Sequence, residues 1–340
     1  MELTDYQADE RGFFLLEQGW ELMNMMPAKA SQTVTAEKPG QGPGTARPNR
    51  KLKIKNGAVG WSFIVIAAGL ICLFYFYPMV QALLLSFQSG TGANLQFTGI
   101  DNYTRLLKDP TFLTTLKNTV IFLIVQVPVM IILALFLSVL LNNKTLKWKG
   151  LFRTAIFLPC VTSLVAYSVI FKYLFSQDGI INIMLMKLAL ISEPISWLTD
   201  PFWAKVTIIV AITWRWTGYN MIFYLSALQN VDQSIYEAAK MDGASSFQQF
   251  FRITVPMLKP IILFTSITST IGTLQLFDEV MNITAGGPAN ATMTISQYIY
   301  NLSFKYTPDF GYAATVSYAI VILIVIFSII QFKVAGDRNE

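Results

Sequence analysis

The sequence contains no histidine and few charged residues. Its 340 residues include 13% Asp, Glu, Lys and Arg, whereas a typical soluble chain has about 25%. Without histidine there can be no His-based catalytic triad, no H-E-x-x-H metal site and no imidazole acid–base chemistry. The composition therefore excludes most hydrolase and metalloenzyme classes. It also argues against a soluble domain, whose surface needs more charge.

Cysteines are scarce as well. The two in the chain, Cys72 and Cys160, lie far apart in apolar runs, without the spacing of metal ligands. We interpret both as small apolar packing residues.

Long apolar runs, in contrast, are abundant. A bilayer core of about 30 Å needs about 20 apolar residues in a helix, and the 54% hydrophobic content of the chain is concentrated in such segments. Six predicted transmembrane helices cover residues 57–77, 118–141, 151–175, 204–228, 261–281 and 312–334. Pro128 and Pro159 fall inside two of them, where neighbouring helices can satisfy the freed carbonyl. The apolar segment 180–190 is shorter and is predicted to be an interfacial or re-entrant helix.

Basic residues flank alternate ends of these spans and indicate their orientation. They lie before the first span, between the second and third, and after the sixth: Arg47, Arg50, Lys51, Lys53, Lys55, Lys144, Lys147, Lys149, Arg153, Lys333 and Arg338. Since Lys and Arg are retained on the cytoplasmic side, both termini are predicted to be cytoplasmic. This asymmetry explains the net charge of +5, and nothing in it favours nucleic-acid binding.

The first 56 residues form a separate region. Residues 1–26 are acidic with several apolar side chains and could form a short amphipathic helix, whereas residues 27–49 have the composition of a flexible linker. The start lacks the basic residues and the uninterrupted apolar run of a signal peptide. We predict a cytoplasmic tail 1–56, a membrane domain 57–334 and a C-terminal tail 335–340. The N-terminal tail is either dispensable and disordered or a cytoplasmic docking segment.

The longest predicted cytoplasmic loop, residues 229–259, contains the most specific pattern. Ser234 and Glu237 fit a capping box at the start of a short helix, and Gly243 is suited to end it. A second short helix is predicted over residues 247–253, ending at Pro256. Two short helices at the membrane surface would present a compact knob to another protein, with an anionic residue near its tip.

This loop resembles the EAA loop of the permease subunits of ABC importers. The family pattern is Glu-Ala-Ala, three residues, Gly, nine residues and then Ile-x-Leu-Pro. The chain has Glu237, Ala238 and Ala239, then Gly243, and then Ile-Thr-Val-Pro at residues 253–256, with the same spacing. Its one departure is a valine in place of the usual leucine.

Two further segments resemble the sugar permeases related to the membrane subunit of the maltose transporter. Residues 97–103, Phe-Thr-Gly-Ile-Asp-Asn-Tyr, are similar to a Gly-Leu-Asp-Asn-Tyr segment of that branch. Residues 275–278, Gln-Leu-Phe-Asp, together with Gly-Gly-Pro at 286–288, are similar to a second one. The resemblance covers about residues 57–334, although six predicted spans and a long N-terminal tail differ from the eight spans of the maltose subunit.

The resemblance implies an all-α type I importer permease in a bacterial cytoplasmic (inner) membrane, working with other chains. These are a second homologous permease, in a heterodimer, two ATPases at the cytoplasmic face, and an extracytoplasmic solute-binding protein for a carbohydrate. The sequence has no G-x-x-x-x-G-K-[ST] phosphate loop. The chain is therefore predicted to be a translocation subunit that binds no cofactor, with ATP and Mg²⁺ bound by the ATPases.

In this family the EAA loop lies in a cleft of the ATPase, where its glutamate meets a basic residue, and we carry that role to Glu237. A purely structural role in the capping box is the alternative. The residues assigned to ATPase coupling are Glu237, Ala238, Ala239, Asp242, Gly243, Arg252 and Pro256.

Polar residues in spans four and five are the candidates for substrate binding, because transporter substrates usually bind near the middle of the bilayer. The helical repeat places most of them on one face of each span. The predicted substrate pathway comprises Thr213, Thr217, Tyr219, Asn220, Tyr224, Ser269, Gly272, Gln275 and Asp278. Hydroxyls and amides suit sugar hydroxyls, and the aromatic rings of Trp214 and Trp216 nearby suit the CH faces of a sugar. Alternatively, Thr and Ser in membrane helices bond their own i−4 carbonyl or pack against a neighbour.

Three ionisable residues, Arg215, Asp278 and Glu279, occur within or at the end of these spans, where charges are usually buried against protein and functional. Arg215 points away from the polar stripe of span four, so we expect an ion pair or a subunit contact there. We expect a gating or substrate role for Asp278. If both carboxylates were ion-coupling sites, the chain would instead be an ion- or proton-coupled secondary transporter without ATPases. An intramembrane enzyme is a third alternative, but no catalytic pair is evident.

Overall fold

The computed structural model describes residues 61, 64–90, 95–143 and 145–336, and the architecture below is that of the unit Ile66–Glu340. As predicted, this part of the chain is mostly helical. The helices, numbered in chain order, are α1 Tyr77–Ser86, α2 Asp101–Lys108, α3 Pro110–Asn142, α4 Lys149–Val161, α5 Leu164–Leu174, α6 Ile180–Lys187, α7 Pro201–Gln229, α8 Gln233–Met241, α9 Ser246–Gln249, α10 Val255–Met257, α11 Lys259–Leu274, α12 Asp278–Ile283, α13 Ile295–Tyr300 and α14 Phe310–Gly336.

Shorter elements connect these helices. π-Helical segments lie before α1, between α9 and α10, and after α13: Cys72–Phe76, Phe250–Thr254 and Asn301–Lys305. A two-stranded antiparallel ribbon, β1 Gln88–Ser89 and β2 Gln96–Phe97, follows α1. The predicted N-terminal tail, with the amphipathic helix considered for residues 1–26, lies outside the described residues.

Helices lie in all six predicted spans wherever the structure describes them, although two of the spans are interrupted. Among the described residues, three helices are long and apolar enough to cross a bilayer: Ile64–Ser86, Pro110–Asn142 and Phe310–Val334. Two pairs of helices meet the same criterion when each pair is taken together: Lys149–Val161 with Leu164–Leu174, and Ser246–Met257 with Lys259–Leu274. α7 has 29 residues and, at about 1.5 Å per residue, is also long enough to cross. The first helix extends to Ser86, past the predicted end at residue 77.

The third predicted span is not a straight helix. α4 and α5 meet at an angle of 101°, and Thr162 between them is extended, with ψ 152°. Pro159 removes the N–H that would bond the carbonyl of Ala155, but α4 remains helical there and breaks only at Thr162. The predicted helix over residues 151–175 is therefore a bent helix pair. Pro128, in contrast, lies inside the uninterrupted helix α3.

The fifth predicted span is also interrupted. α11 ends at Leu274, residues 275–277 are non-helical, and α12 begins at Asp278. The carbonyl of Leu276 is released from the helical ladder and accepts a 2.6 Å hydrogen bond from the hydroxyl of Thr294. The prediction of one continuous helix over residues 261–281 is wrong, because a partner from a later loop stabilises the break.

α7 packs against α3, α4, α11 and α12. Ile208 and Ile212 of α7 are fully buried in this packing, as is Met130 of α3. Gly218 allows α4 to approach closely, since a Cβ at this position would lie 2.1 Å from the carbonyl oxygen of Ile156. The position of α7 against several helices means that its polar residues do not all face the same environment.

A polar network ties α3 to α13 and α14. Asp109, the N-cap of α3, accepts hydrogen bonds from the hydroxyls of Tyr298 at 2.5 Å and Tyr312 at 2.6 Å. Beside it, Arg105 forms a 2.8 Å ion pair with Asp309, and its guanidinium lies 3.9 Å from the centre of the Tyr312 ring. These contacts fix the ends of three helices relative to one another.

Candidate substrate cavity and coupling loop

A cavity of about 360 Å³ lies where α11 gives way to α12. Its wall is formed by α3, α7 and the interrupted segment from α11 to α12. The lining residues are Gln126, Met130, Ile212, Trp216, Tyr219, Asn220, Thr268, Ser269, Gly272, Thr273, Gln275, Leu276, Phe277, Asp278 and Glu279. Non-helical backbone at membrane depth is tolerated where it lines a cavity, and interrupted helices often form the substrate sites of transporters.

The segment from α11 to α12 brings four of the predicted pathway residues together. Ser269, Gly272, Gln275 and Asp278 all line the cavity. At Gly272 no atom lies within 4 Å of the position that a Cβ would take, so the missing side chain leaves room in the cavity. This stretch of wall presents a hydroxyl, an amide and a carboxylate beside open space.

Only part of the predicted polar stripe on α7 reaches the cavity. Tyr219 and Asn220 line it, and the Asn220 amide also donates to the carbonyl of Trp216 at 3.0 Å. The remaining three residues of α7 that were assigned to the pathway, Thr213, Thr217 and Tyr224, do not line it.

The contacts of these three residues explain the difference. Thr217 donates a 2.6 Å hydrogen bond to the i−4 carbonyl of Thr213, and the hydroxyls of Tyr224 and Thr265 are 2.6 Å apart. Tyr224 therefore joins α7 to α11. Thr213, Thr217 and Tyr224 therefore lie outside this cavity, because the helical repeat fixes a shared face but not the neighbour which that face meets.

α3 contributes two lining residues that the sequence analysis missed, Gln126 and Met130. The side-chain oxygen of Gln126 accepts a 2.9 Å hydrogen bond from Thr273, so the amide is held against the wall. An uncharged amide in the middle of a strongly apolar span is the signal that could have identified it. The predicted pathway contains residues of spans four and five only.

Two aromatic rings stand on the wall formed by α7. Trp216 is 37% exposed and Tyr219 is 38% exposed, and their ring centres are 5.8 Å apart at an interplanar angle of 90°. Trp214, which was also considered, stacks on Tyr167 at 6.0 Å and does not line the cavity. Rings with one exposed face beside amides and hydroxyls can cover the CH surface of a sugar while its hydroxyls are hydrogen-bonded.

The ionisable residues of these spans have different surroundings. Asp278 is exposed and Glu279 is buried, and both line the cavity. Arg215 is buried, lies outside the cavity wall, and donates from Nη2 to the carbonyl of Cys160 at 3.4 Å. Its Nε and Nη1 have no hydrogen-bond partner among the described residues.

The predicted coupling loop consists of α8 and of the helical stretch Ser246–Met257. α8 is capped by Asp232, whose carboxylate accepts the backbone N–H of Ser234 at 3.0 Å, so the predicted capping box at Ser234 is wrong. This bond lowers the pKa of Asp232 below its ordinary value of 3.8. A capping box is instead found one helix later, between Ser245 and Gln248. The loop therefore contains a capping box, but at the start of the helix after the predicted one.

Gly243 ends α8 as predicted, with φ +81°, a conformation that favours glycine. The residues assigned to coupling are largely exposed: Glu237, Ala238, Asp242, Gly243, Arg252 and Pro256 are exposed and Ala239 is half-buried. Exposed apolar side chains stand beside them, with Met241 at 89% and Phe247 at 72%. The hydroxyls of Tyr236 and Thr254, 3.0 Å apart, join the two helices.

Comparison with known proteins places the chain in a family. The pattern of the family described as "Binding-protein-dependent transport system inner membrane component" matches residues 108–336. The lactose transport system permease protein LacF of Rhizobium radiobacter is 60% identical over 282 residues, which are 82% of this chain and 95% of that protein. The arabinooligosaccharides transport system permease protein AraP of Halalkalibacterium halodurans is 36% identical over 278 residues, 81% of this chain and 84% of that protein.

Solved structures show the same fold. A chain of a bacterial ABC transporter involved in the import of the acidic polysaccharide alginate has a TM-score of 0.75 at 21% identity, covering 86% of this chain and 100% of that chain. A second structure, of the bacterial alginate ABC transporter in complex with an alginate pentasaccharide-bound periplasmic protein, has a TM-score of 0.74. The chain therefore belongs to the family of binding-protein-dependent transport system inner membrane components, and is a multi-pass permease subunit of the inner membrane and not an enzyme.

Proposed function

We propose that this chain is the translocation subunit of an ATP-driven, binding-protein-dependent importer for an oligosaccharide, with lactose as the first candidate. The cavity at the break after α11 is the observation that carries the proposal, because amides, hydroxyls and two half-exposed aromatic rings meet there. The 60% identity to a lactose permease protein supports the choice of lactose. Glu237 and the other coupling residues would receive the force that opens and closes this cavity.

A covalent and packed connection between the coupling loop and the cavity supports this mechanism. The stretch Ser246–Met257 continues into α11 through a bend of 70°, and α11 carries Ser269 and Gly272 on the cavity wall. Because the bond between Tyr236 and Thr254 fastens α8 to the same stretch, a displacement of the exposed helix is transmitted to α11. ATP-driven closure of the ATPases on this loop would rotate α7 and α11 together and expose the cavity to alternate sides.

The partners follow from the same proposal. Two ATPases bind at the coupling loop and hold ATP and Mg²⁺, a second homologous permease completes the pathway, and an extracytoplasmic solute-binding protein delivers the sugar. A periplasmic protein is present in the complex of the alginate transporter, which supports the last of these. Both termini of this chain then lie in the cytoplasm, on the side of its flanking Lys and Arg residues.

Lactose uptake into proteoliposomes that contain the complete importer tests the proposal. We expect uptake that requires ATP and the binding protein and that continues when an ionophore collapses ion gradients. Uptake that is independent of ATP and stops with the ionophore would favour an ion-coupled secondary transporter, with Asp278 and Glu279 as coupling sites.

One substitution separates coupling from folding in the same assay. We expect Glu237→Lys to abolish uptake while the protein still inserts, because a cation would repel a basic site on the ATPase. Glu193→Lys, an equal change of charge at another exposed carboxylate, is the matched control and should keep uptake. Normal uptake by Glu237→Lys would contradict the coupling role of this loop.

A further inference from the structure

The charged residues on the wall of the cavity are all of one sign. Asp278 and Glu279 line it, and no lysine or arginine is found among the described lining residues. A charged group in a membrane span is costly and is generally kept for a function. The charged residues of the wall are therefore negative, and a ligand must be compatible with this charge.

The two carboxylates differ in how far they are exposed. Glu279 is 4% exposed, so the surrounding protein covers its carboxylate. Arg215 is 6% exposed and does not reach the wall. Asp278 is exposed to the cavity, and has no basic ion-pair partner within the described part of the chain. The exposed negative charge of the wall is therefore that of Asp278.

Within the described residues, the carboxylate of Asp278 makes no hydrogen bond that stabilises the fold. The contact of this residue with its own helix is made by its backbone carbonyl, which accepts the Asn282 amide at 2.7 Å. No hydrogen bond to its carboxylate is present within the described residues, so both oxygens are available to a ligand. A free carboxylate accepts strong, charge-assisted hydrogen bonds from hydroxyl groups, whereas it repels another anion, the more so where water is scarce.

We propose that Asp278 is a specificity-determining residue, which accepts hydroxyl groups of uncharged sugars and rejects sugars that carry a carboxylate or a sulfonate. The inference rests on the proposed function, because it takes the cavity to be the site that holds the sugar. In this proposal the permease itself selects sugars by charge, through the side chain of Asp278. This selection adds to any selection by the binding protein.

Two probes that differ by one charge test the proposal: lactose, and the uronate of lactose in which the galactosyl CH₂OH is a carboxylate. Binding is followed by tryptophan fluorescence of the solubilised importer without its binding protein, because Trp216 lines the cavity. Wild type is expected to bind lactose at least about tenfold more tightly than the uronate. Asp278→Asn should bring this ratio close to one by improving uronate binding. Asp278→Glu should keep the ratio.

Matched controls exclude a general effect of charge. Asp178→Asn removes an exposed carboxylate outside the cavity and should leave the ratio unchanged. In wild type the ratio should also fall as salt is raised, because ions that enter the cavity screen the repulsion. This salt dependence, together with Asp278→Ser, decides the point if Asp278→Asn does not fold.

The outcomes separate this inference from the proposed function. Equal affinity of wild type for both probes would overturn the selection by charge and leave an oligosaccharide importer intact. A ratio that survives Asp278→Asn would overturn the role of Asp278. If an importer that still hydrolyses ATP binds neither these probes nor other neutral sugars, the proposed function fails and this inference fails with it.

Discussion

At the scale of single residues, Asp109 joins three helices through one carboxylate. It accepts the backbone N–H of Thr111 at 2.8 Å as the cap of α3, and the hydroxyls of Tyr298 and Tyr312 from α13 and α14. Loss of a helix cap costs about 1 kcal/mol, and a hydrogen bond to a charged group contributes about 1.5–3 kcal/mol. We expect Asp109→Ala to reduce the free energy of unfolding by about 2–4 kcal/mol, less than the sum of these contributions, because interactions that share one carboxylate are not additive.

Thermal unfolding of the purified protein in detergent measures this loss. Asp101→Ala removes an exposed carboxylate from the first turn of α2 and serves as the control, with an expected change within about 0.5 kcal/mol. Equal unfolding temperatures for Asp109→Ala and wild type would show that the network adds no stability.

The same carboxylate predicts a dependence of stability on pH. Burial alone would raise the pKa of Asp109, but the hydroxyls of Tyr298 and Tyr312, together with backbone N–H groups, hold it below its ordinary value of 3.8. A carboxyl with a lowered pKa in the folded state stabilises the protein fully above its unfolded pKa, and this contribution is lost as pH falls through the folded pKa.

Unfolding temperatures of wild type and Asp109→Asn between about pH 6 and pH 3 test this sign. Wild type should lose stability more steeply than the variant below about pH 4, because only wild type has this carboxyl to protonate. Parallel curves would contradict the assignment.

At the scale of elements, two glycines of neighbouring helices predict opposite effects of the same substitution. A Cβ on Gly218 would lie 2.1 Å from the backbone of α4, whereas a Cβ on Gly272 would meet open space in the cavity. Gly218→Ala should destabilise the protein by about 1–3 kcal/mol, because backbone cannot move aside easily. Gly272→Ala should leave stability unchanged or raise it by up to about 1 kcal/mol, while a methyl group in the cavity weakens lactose binding.

Unfolding temperature and lactose binding, measured on both variants, distinguish the two glycines. A stable Gly218→Ala would mean that α4 and α7 are not as close as described. Unchanged lactose binding by Gly272→Ala would place the sugar elsewhere.

The interruptions of the helices were not predictable from apolar runs. Hydropathy located apolar helical segments, but it carries no information on backbone continuity, so the bend after Pro159 and the break at residues 275–277 were missed. The second break contains no proline. It depends on the hydroxyl of Thr294, which donates to a carbonyl that the helix has released. Such a contact between distant segments becomes visible only in the folded chain.

At the scale of the whole molecule, the exposed coupling loop predicts an assembly. Solubilised gently from its native membrane, the wild-type chain should co-purify with a second EAA-containing permease and two copies of an ATPase. Glu237→Lys should lose the ATPase and retain the second permease, because the proposed assembly places the ATPase at this loop. Recovery of wild type alone, under conditions that preserve a known importer, would contradict the importer assembly.

Sequence patterns identified some of the residues that line the cavity but not all of them. Of the predicted pathway residues, six line the cavity: Tyr219, Asn220, Ser269, Gly272, Gln275 and Asp278. The patterns also included Thr213, Thr217 and Tyr224, which pack between helices. They missed Gln126, because a helical repeat cannot show which neighbouring helix completes a cavity.

The hydroxyl of Thr294 connects the cavity to the side of the molecule that we propose is extracytoplasmic. It accepts the backbone N–H of Gln297 as the cap of α13 at 3.4 Å, and it donates to the carbonyl of Leu276 in the cavity wall at 2.6 Å. Anything that docks beside α13 and shifts it must either break this bond or pull the Leu276 carbonyl with it. A displacement of α13 therefore alters the shape of the cavity even when no long helix moves.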